Sequence, residues 1–351
     1  MPTTTIFNPT PGWYAGDFHA HTHFSDGALS PDELVALAQA EGLDFLAITD
    51  HNDIGALSAF AAPPPMPIVR GIEITLKIGH FNVFGVDAWP DWLDAMLPGE
   101  TWQERVQGQP DINRMMALCQ AEGWLVSINH PLLTPWEWQN EDTLLDHLDA
   151  LEIWNDPTWG DNAWANPDAV AYWTRLLNAG YRITAIGGTD FHFTNPEPGP
   201  YQPRLNLPRT YVYAEQLSTA AILDAVRKRR AYMTMGPTLR FQAAMQGVSY
   251  GMGDDLGAVT GELALTAEAV LEQGEGRILL LKNGEIIADG RSRDGRIAVQ
   301  WQSELNPREP AWFRCDVLDA EGRFLTVSNP IFTGPHHPPA PHTFGEFLAD
   351  A

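Results

Sequence analysis

Two patterns of hydrophobic and polar positions follow one another along the chain. From about residue 13 to 235, short apolar runs such as LDFLAIT (43–49) alternate with segments of helix length. This alternation is typical of α/β domains, because parallel strands are buried on both faces and are joined by helical crossovers. We therefore predict an α/β domain with mostly parallel strands over residues 1–237.

Local signals indicate where the elements of this domain begin and end. Ser30 is a candidate N-cap, Pro31 suits the first helical position and Glu33 completes a capping box, so a helix is predicted over residues 31–41. Strands are predicted at 13–21, 43–49, 68–75, 80–86, 124–129, 150–154, 182–187 and 209–214. Further helices are predicted at 102–122 with an interruption at 107–111, at 168–179 and at 218–230.

The C-terminal part of the chain has a different pattern. From Thr238 onward, short alternating runs are separated by turn signals, and Asn283-Gly284 between two such runs predicts a hairpin. We predict a small, sandwich-like β domain over 238–335. The proline-rich segment 336–351 is predicted to be an extended tail, either wrapped on the protein or loose.

Composition and charge restrict the function classes. The 351 residues are 44% hydrophobic and 19% charged, with no apolar run long enough to span a bilayer and no secretory signal at the start, so we expect a cytoplasmic protein. Cys119 and Cys315 are too few for a disulfide framework. The net charge of -24 argues against nucleic acid and anionic membranes as partners, because both are bound chiefly by Lys and Arg.

Histidines and carboxylates occupy the ends of several predicted strands. His19 and His21 alternate at period two, so both imidazoles point to the same side of a strand and can bind one ion. Loops at the carboxyl ends of parallel strands converge on one face, so we expect the other candidates to lie near this pair. The complete set of candidate metal ligands is His19, His21, Asp26, His51, Glu73, His80, His130, Asp190 and His192.

Each candidate ligand taken alone has a simpler explanation. A single histidine such as His51 or His130 is more often structural than a ligand, and Asp26 could stabilise the turn at Ser25-Asp26-Gly27. Together, six histidines and three carboxylates would cost several kcal/mol each if buried without cations. The set as a whole therefore predicts a metal site.

The same residues stand in motifs that resemble the PHP (polymerase and histidinol phosphatase) metallohydrolases over residues 13–235. These motifs are HAHTHFSDG (19–27), ITDH (48–51), GIE (71–73), NHP (129–131) and GTDFH (188–192). The segments GIEITLKIGHFNVFG, LEIWN and PRTYVYAEQLSTAAILDAVRKRRAYMTMGP are similar to the carbaryl-hydrolase-like (CehA/McbA) branch. The resemblance implies a distorted (β/α)7 barrel followed by a β-rich C-terminal domain.

The resemblance also implies how the ligands are divided among two or three divalent ions. The implied groups are His19, His21, Glu73 and Asp190 for the first ion; Glu73, His80 and His130 for the second; and Asp26, His51 and His192 for the third. Mixed imidazole and carboxylate ligands suit Mn²⁺, Fe²⁺ or Zn²⁺.

The activity implied by the resemblance is hydrolysis of a phosphomonoester or phosphodiester by a metal-bridging hydroxide in a di- or trinuclear site. Asp190 would orient the hydroxide, while His192 or His51 would assist the leaving group. Arg204 and Arg209 follow the last ligand loop and are predicted to bind the substrate phosphate, although exposed salt bridges would explain them equally well.

Two other functions remain open from the sequence. The carbaryl-hydrolase-like branch suggests hydrolysis of a carbamate or carboxylic ester, and a non-catalytic, metal-stabilised scaffold could present the β domain to a partner. A small-molecule ester, most simply an anionic phosphoester, is the expected substrate, and homo-oligomer formation is left open. Several residues after strand ends could wall an apolar pocket or simply pack in the core: Trp136, Trp138, Trp154, Asn155 and Trp159.

Overall fold

Seven strands form a distorted barrel in the N-terminal part of the computed structural model, which describes residues 5–348 except 196, 272–273 and 293. The strands are β1 (Gly12–Asp17), β2 (Phe45–Ile48), β3 (Ile68–Leu76), β4 (Gly79–Phe84), β5 (Leu125–Ile128), β6 (Ala150–Trp154) and β7 (Thr184–Gly187). Neighbours are parallel except β4, which is antiparallel to β3 and β5. A parallel bridge between Ala20 and Phe191 joins the segments after β1 and β7, so the wall closes on itself.

Helices cover the outside of this barrel. They are α1 (Pro31–Ala40), α2 (Asp91–Met96), α3 (Trp102–Arg105), α4 (Ile112–Ala121), α5 (Asn162–Asn178) and α6 (Thr219–Arg227). The predicted capping box begins α1, and the predicted interruption separates α3 from α4. In the described part of the chain, no helix is long and apolar enough to cross a membrane.

Helix α5 begins six residues before its predicted start at Asp168. The extra turns form because side-chain amides hold them against the loop after β6. Asn162 donates to the carbonyl of Asp156 at 2.7 Å, and Asn166 donates to the carbonyl of Asn155 at 2.9 Å. These bonds offset the interruption expected from Pro167, which lies inside the helix. The first turns of α5 are thus tied to a loop that borders the site described below.

The C-terminal strands form two layers. They are β8 (Arg209–Ala214), β9 (Ala231–Thr234), β10 (Thr238–Met245), β11 (Val248–Tyr250), β12 (Gly261–Val270), β13 (Gly276–Lys282), β14 (Glu285–Ser292), β15 (Arg296–Leu305), β16 (Ala311–Asp319), β17 (Phe324–Ser328) and β18 (Ile331–Thr333). One sheet has the order β11-β10-β12-β15, and its apolar side chains share a core with Phe313 and Val317 of β16. This arrangement confirms the predicted mixed fold with a sandwich-like β region.

One layer of the C-terminal region continues the wall of the barrel. β1 pairs with β8, β8 with β9 and β9 with β17, all antiparallel, so a single sheet crosses the boundary predicted at residues 237 and 238. Alternating polarity predicts a strand but does not specify its partner, which explains why the sequence did not indicate this continuity.

The C-terminal tail is wrapped on the barrel rather than loose. Thr343 bridges Leu144, and the fully buried ring of Phe344 packs on Tyr172 with 4.7 Å between ring centroids. The Tyr172 hydroxyl also donates to the Phe344 carbonyl at 2.9 Å. Residues 349–351 of the predicted tail lie outside the described part of the chain.

Candidate metal centre

The structure brings all of the predicted metal ligands together at one end of the barrel. His19 and His21 follow β1, His51 follows β2, and Glu73 lies in β3. The remaining ligands are carried by the loop after β1, by β4 and by the loops after β5 and β7: Asp26, His80, His130, Asp190 and His192. Parallel strands explain this convergence, because their carboxyl ends meet at one edge.

Three overlapping groups within this cluster can each hold an ion, since one ligand atom per residue lies within 4.8 Å of the others. The groups are His19, His21, Glu73 and Asp190; His21, Asp26, His51 and His192; and His51, Glu73 and His80. The first equals the group implied by the resemblance. The second group contains the expected Asp26, His51 and His192 and adds His21. In the third group, His51 takes the place of the expected His130. His130 remains close, with its Nε2 3.5 Å from Glu73 Oε1 and 3.9 Å from Asp190 Oδ2.

Glu73 lies at the centre of the cluster and is fully buried. Its Oε1 is 3.2 Å from both His19 Nε2 and His80 Nδ1, and it accepts a hydrogen bond from Asn129 Nδ2 at 2.8 Å. Burial alone would raise the pKa of Glu73, but His19, His51 and His80 hold it well below its usual value. The carboxylate is therefore ionised and available as a ligand at neutral pH.

Several buried polar atoms of the cluster make no hydrogen bond within the described residues. They are His19 Nε2, Glu73 Oε2 and His130 Nδ1. Glu73 Oε2 lies 2.6 Å from His51 Nδ1, whose hydrogen-bond partner is the hydroxyl of Thr75. Unpaired buried polar atoms are rare in folded proteins, and here two of them face other imidazoles and carboxylates. The residues present therefore fit divalent ions with nitrogen and oxygen ligands.

The histidines of the cluster differ in their affinity for protons. Burial, together with the neighbouring His192 and His51, lowers the pKa of His21 to about 3, so that ring is neutral. Burial also lowers the pKa of His51, but Glu73 and Asp26 outweigh this effect and raise it to about 10. For His192, Asp26 and Asp190 likewise outweigh burial and raise the pKa. Ions and protons therefore compete for the nitrogens of His51 and His192.

Backbone strain accompanies two of the ligands. His130 has φ of 27° and Asp190 has φ of 51°, in the left-handed region that non-glycine residues seldom adopt. Such a conformation costs on the order of 1–3 kcal/mol and persists only where the surroundings impose it. Here it turns the chain sharply just after β5 and β7, and the His130 side chain then lies near Glu73 while that of Asp190 lies near His19.

Glu152 is a functional candidate that sequence reasoning missed. It lies in β6, is 2% exposed, and places Oε1 3.0 Å from His19 Nδ1. Its Oε2 accepts from the backbone N–H of His130 at 2.8 Å. Carboxylates that bind the second nitrogen of a ligand histidine fix the tautomer and the orientation of the ring. The signal in the sequence was a single acid within the apolar run ALEIW.

Two further buried acids, Asp17 and Asp50, hold the ligand loops in place. Asp17 accepts from the backbone N–H of His19 at 2.9 Å and of Thr189 at 3.0 Å, which joins the loop after β1 to the loop after β7. Burial raises the pKa of Asp17 to about 7 despite these bonds. Asp50 accepts from the N–H and the hydroxyl of Thr22 at 2.8 and 2.7 Å.

A cavity of about 240 Å³ opens over the cluster. The predicted catalytic residues Asp190, His192 and His51 line it, together with Trp136, Asn155 and Trp159 from the predicted pocket wall. By contrast, Trp138 and Trp154 are buried in the main apolar core. Trp136, Asn155 and Trp159 therefore line the cavity, whereas Trp138 and Trp154 pack in the core.

Arg204 and Arg209 do not line this cavity. The Arg204 side chain is 56% exposed, and its Nη2 lies 3.3 Å from Glu41 Oε2 just beyond α1. Arg209 donates from Nε to the carbonyl of Asn206 at 3.2 Å. These placements match the alternative interpretation, in which both arginines make structural contacts, and give no support to substrate binding.

The fold and the cluster define the class of the protein as an α/β barrel with a candidate multinuclear metal centre at the carboxyl ends of its strands. Residues 17–120 match the family model of the PHP domain. This match covers less than a third of the chain and agrees with the resemblance of the motifs in that region to the PHP metallohydrolases.

Two curated relatives share short regions with the chain. Over 88 residues it is 39% identical to the 3′,5′-nucleoside bisphosphate phosphatase of Chromobacterium violaceum, covering 23% of this chain and 31% of that protein. Over 62 residues it is 39% identical to a 5′-3′ exoribonuclease of Haemophilus influenzae, covering 17% of this chain and 23% of that protein. The chain thus spans less than a third of the length of either relative.

Among solved structures, the chain is similar to a two-domain protein containing a predicted PHP-like metal-dependent phosphoesterase from Bacteroides vulgatus. The sequence identity is 17% and the TM-score 0.46, and the match covers 93% of this chain and 98% of that chain.

Proposed function

We propose that the protein is a metal-dependent phosphoesterase. The observation that carries the proposal is the convergence of histidines and carboxylates into three overlapping ligand groups, two of which contain Glu73, beneath an open cavity. Ligands that only stabilise a fold are usually closed off from solvent, whereas catalytic metal sites keep an accessible position. His51, Asp190 and His192 line the cavity, so this centre is accessible.

In this proposal the three groups hold two or three ions of Mn²⁺, Fe²⁺ or Zn²⁺. His130, whose Nε2 lies close to Glu73, would be an additional ligand for an ion that Glu73 binds. When bound, the ions would activate water and offset the charge of the phosphoryl oxygens. Asp190 orients the attacking water from the cavity wall. His192 Nδ1 lies 2.7 Å from the carbonyl oxygen of Asp190, so its Nε2 points away from that carbonyl. With only two ions bound and the group around Asp26 free, His192 or His51 would keep its proton and supply it to the departing oxygen, because a ring nitrogen that binds an ion carries no proton.

The names of the two curated relatives favour phosphoesters as the substrate class, since one is a phosphatase and the other a ribonuclease. We propose a small phosphoester rather than a nucleic acid. The chain has a net charge of -24, and no Lys or Arg is among the described residues that line the cavity. A polynucleotide would need such cations along its backbone.

A carbamate or carboxylic ester, as in the carbaryl-hydrolase-like branch, is the second candidate. The specific observation in its favour is the same lack of Lys and Arg in the described cavity wall, because a neutral ester needs no cation beyond the ions themselves. In both cases the centre around Glu73 would be the reactive site.

A substrate panel separates these candidates. Protein loaded with Mn²⁺, Fe²⁺ or Zn²⁺ is assayed against nitrophenyl phosphate, bis-nitrophenyl phosphate and naphthyl carbamate. We expect turnover of at least one phosphoester, and activity on the carbamate alone would contradict the phosphoesterase proposal.

The variant Asp190→Asn tests whether the centre is catalytic at all. We expect a loss of turnover of at least about a hundredfold, because the variant removes a charge that the attacking water and the ions both need. Unchanged turnover in a folded variant would instead favour the non-catalytic scaffold.

A further inference from the structure

We propose that Trp136, Trp159, Phe193 and Tyr201 form a ring-binding subsite, which selects monoesters whose alcohol carries a planar aromatic group and no second anionic group. This inference rests on the proposed function, because it assigns the substrate class of the same centre. The four side chains are called the aromatic wall below.

The rings of the aromatic wall line the cavity and contact one another in a continuous series. Trp159 packs edge-on against Trp136, with 5.1 Å between ring centroids, and against Tyr201, with 5.3 Å. Tyr201 in turn meets Phe193 at 6.0 Å. Three loops supply these rings. The loops after β5 and β7 also carry His130 and Asp190, and the loop after β6 carries Trp159.

Several of these rings are accessible to a ligand. Trp136 is 37% exposed and Phe193 is 40% exposed, although large aromatic side chains are usually well covered. Edge-on packing leaves ring faces available for stacking. An exposed apolar surface beside a polar cluster is the usual composition of a small-molecule site, in which apolar walls bind the body of the ligand and few polar groups orient it.

Charges on the described cavity wall exclude a second anion. Apart from histidines, the charged side chains there are the carboxylates Asp26, Asp156 and Asp190. Asp156 lies beside the aromatic wall, beyond the ligand groups, and a second phosphate placed there would meet a carboxylate with no Arg or Lys to offset it. The cavity volume of about 240 Å³ also falls below that of typical drug-sized sites, so the bound group is small.

The reaction that this subsite would serve is ordinary hydrolysis. Water adds its oxygen to phosphorus, the P–O bond to the alcohol breaks, and the alcohol oxygen takes up the proton that water releases. The aromatic wall touches only the carbon part of the alcohol and takes no part in proton transfer, so its effect falls on substrate selection.

Two primary-alcohol esters test the proposal without a difference in leaving group. The metal-loaded protein is assayed with 2-phenylethyl phosphate and with n-butyl phosphate. We expect kcat/KM to be about tenfold higher for the phenylethyl ester, the size expected for one stacking contact. Trp159→Ala should bring this ratio close to one, because the variant removes the stacking contact that favours the phenylethyl ester. Trp164→Ala is the matched control, because Trp164 is 75% exposed, lies on α5 and does not line the cavity.

Trp136→Ala serves as a second variant if Trp159→Ala does not fold. An equal kcat/KM for both esters in the wild type, or a preference that persists in the folded variants, would overturn the subsite. The substrate panel above tests the proposed function itself; if neither alkyl ester is hydrolysed, calorimetric binding of the same two esters decides the subsite separately. Tenfold tighter binding of the phenylethyl ester supports it, and equal affinity overturns it.

A second pair of substrates tests the exclusion of a second anion. We expect kcat/KM for adenosine 3′,5′-bisphosphate to be no higher than for adenosine 5′-monophosphate. A tenfold preference for the bisphosphate would contradict this part of the proposal.

Discussion

At the scale of single residues, the chemistry of the site depends on how buried charges are balanced. Glu73 is fully buried among imidazoles, and its pKa is well below the usual value because those rings surround it. Burial of an ion costs several kcal/mol unless opposite charge offsets it. Protons on His51 and His192 or divalent ions can both provide that charge, and the balance between them leads to measurable consequences.

Proton release on metal binding is the first of these consequences. Glu73 and Asp26 raise the pKa of His51 to about 10, so this ring is protonated near neutral pH and must lose its proton to bind an ion. We expect at least one proton to be released per chain, and the apparent metal affinity to fall as the pH is lowered. Calorimetric titration with Zn²⁺ in two buffers of different ionisation enthalpy measures this release. Equal heats in both buffers would contradict it.

Glu152→Gln should weaken metal binding without unfolding the protein. Its carboxylate contacts His19 Nδ1 and the N–H of His130, and loss of such a partner typically lowers metal affinity about 10–100-fold. The measurement is a competition titration against a chelating dye. Glu268→Gln, an exposed strand position far along β12, is the matched control and should bind metal like the wild type. Wild-type affinity in Glu152→Gln would show that Glu152 does not orient His19.

The sequence indicated the candidate ligands that the structure brings together, but not the residues that position them. His19, His51 and Asp190 were predictable, because histidines and acids at strand ends are unusual and converge in any parallel barrel. Glu152 and Asp17 were not, since a single acid inside or at the end of a strand gives no indication of its partner. For Arg204 nearness in sequence to the last ligand loop did not indicate where the side chain lies, which is beside Glu41.

At the scale of elements, close packing between strand ends holds the ligands in position. Gly188 follows β7, and a Cβ atom there would lie 2.4 Å from His19 Cβ and 2.9 Å from Glu152 Oε1. Only glycine therefore allows the loop after β7 to approach the loop after β1 this closely.

Gly188→Ala should separate these two loops. We expect it to destabilise the fold by about 1–3 kcal/mol, as overpacking usually does, and to lower metal affinity more than tenfold because His19 is displaced. Thermal unfolding and metal titration measure the two effects. Gly160→Ala, at a position with nothing within 4 Å, is the control. A Gly188→Ala protein with unchanged metal affinity would show that the approach of the loops is not needed.

The start of α5 shows what local signals leave out at this scale. Amphipathic pattern and capping residues located α1, whose capping box lies entirely in neighbouring residues. The first turns of α5 depend instead on amide bonds from Asn162 and Asn166 to the loop after β6. Such contacts are fixed by the folded arrangement of two elements and cannot be derived from the helix sequence alone.

At the scale of the whole molecule, one sheet continues from the barrel into the C-terminal region, and the C-terminal tail packs back onto the barrel. Phe344 is fully buried against Tyr172. We expect Phe344→Ala to lower the free energy of unfolding by about 3–5 kcal/mol, and half-buried Phe347→Ala by clearly less. Denaturant unfolding measures both. Similar, small losses for the two variants would indicate that the tail contributes little to stability.

The overall class of fold was predictable, whereas the connections between its parts were not. Alternating apolar runs and helices indicate an α/β domain, and the seven strands agree with the barrel that the PHP resemblance implies. The pairing of β9 with β17, which joins the barrel to the C-terminal layer, links residues far apart in the chain. Nothing in the alternation of either strand specifies that partner.

The metal content of the protein tests the central claim most directly. Elemental analysis is made of the full chain purified without chelator and of Asp190→Asn prepared in the same way. We predict two or three divalent ions per wild-type chain and at least one fewer in the variant, because Asp190 belongs to the group with His19, His21 and Glu73. A folded wild-type protein that retains no ion, even after addition of Mn²⁺, Fe²⁺ or Zn²⁺, would contradict the account.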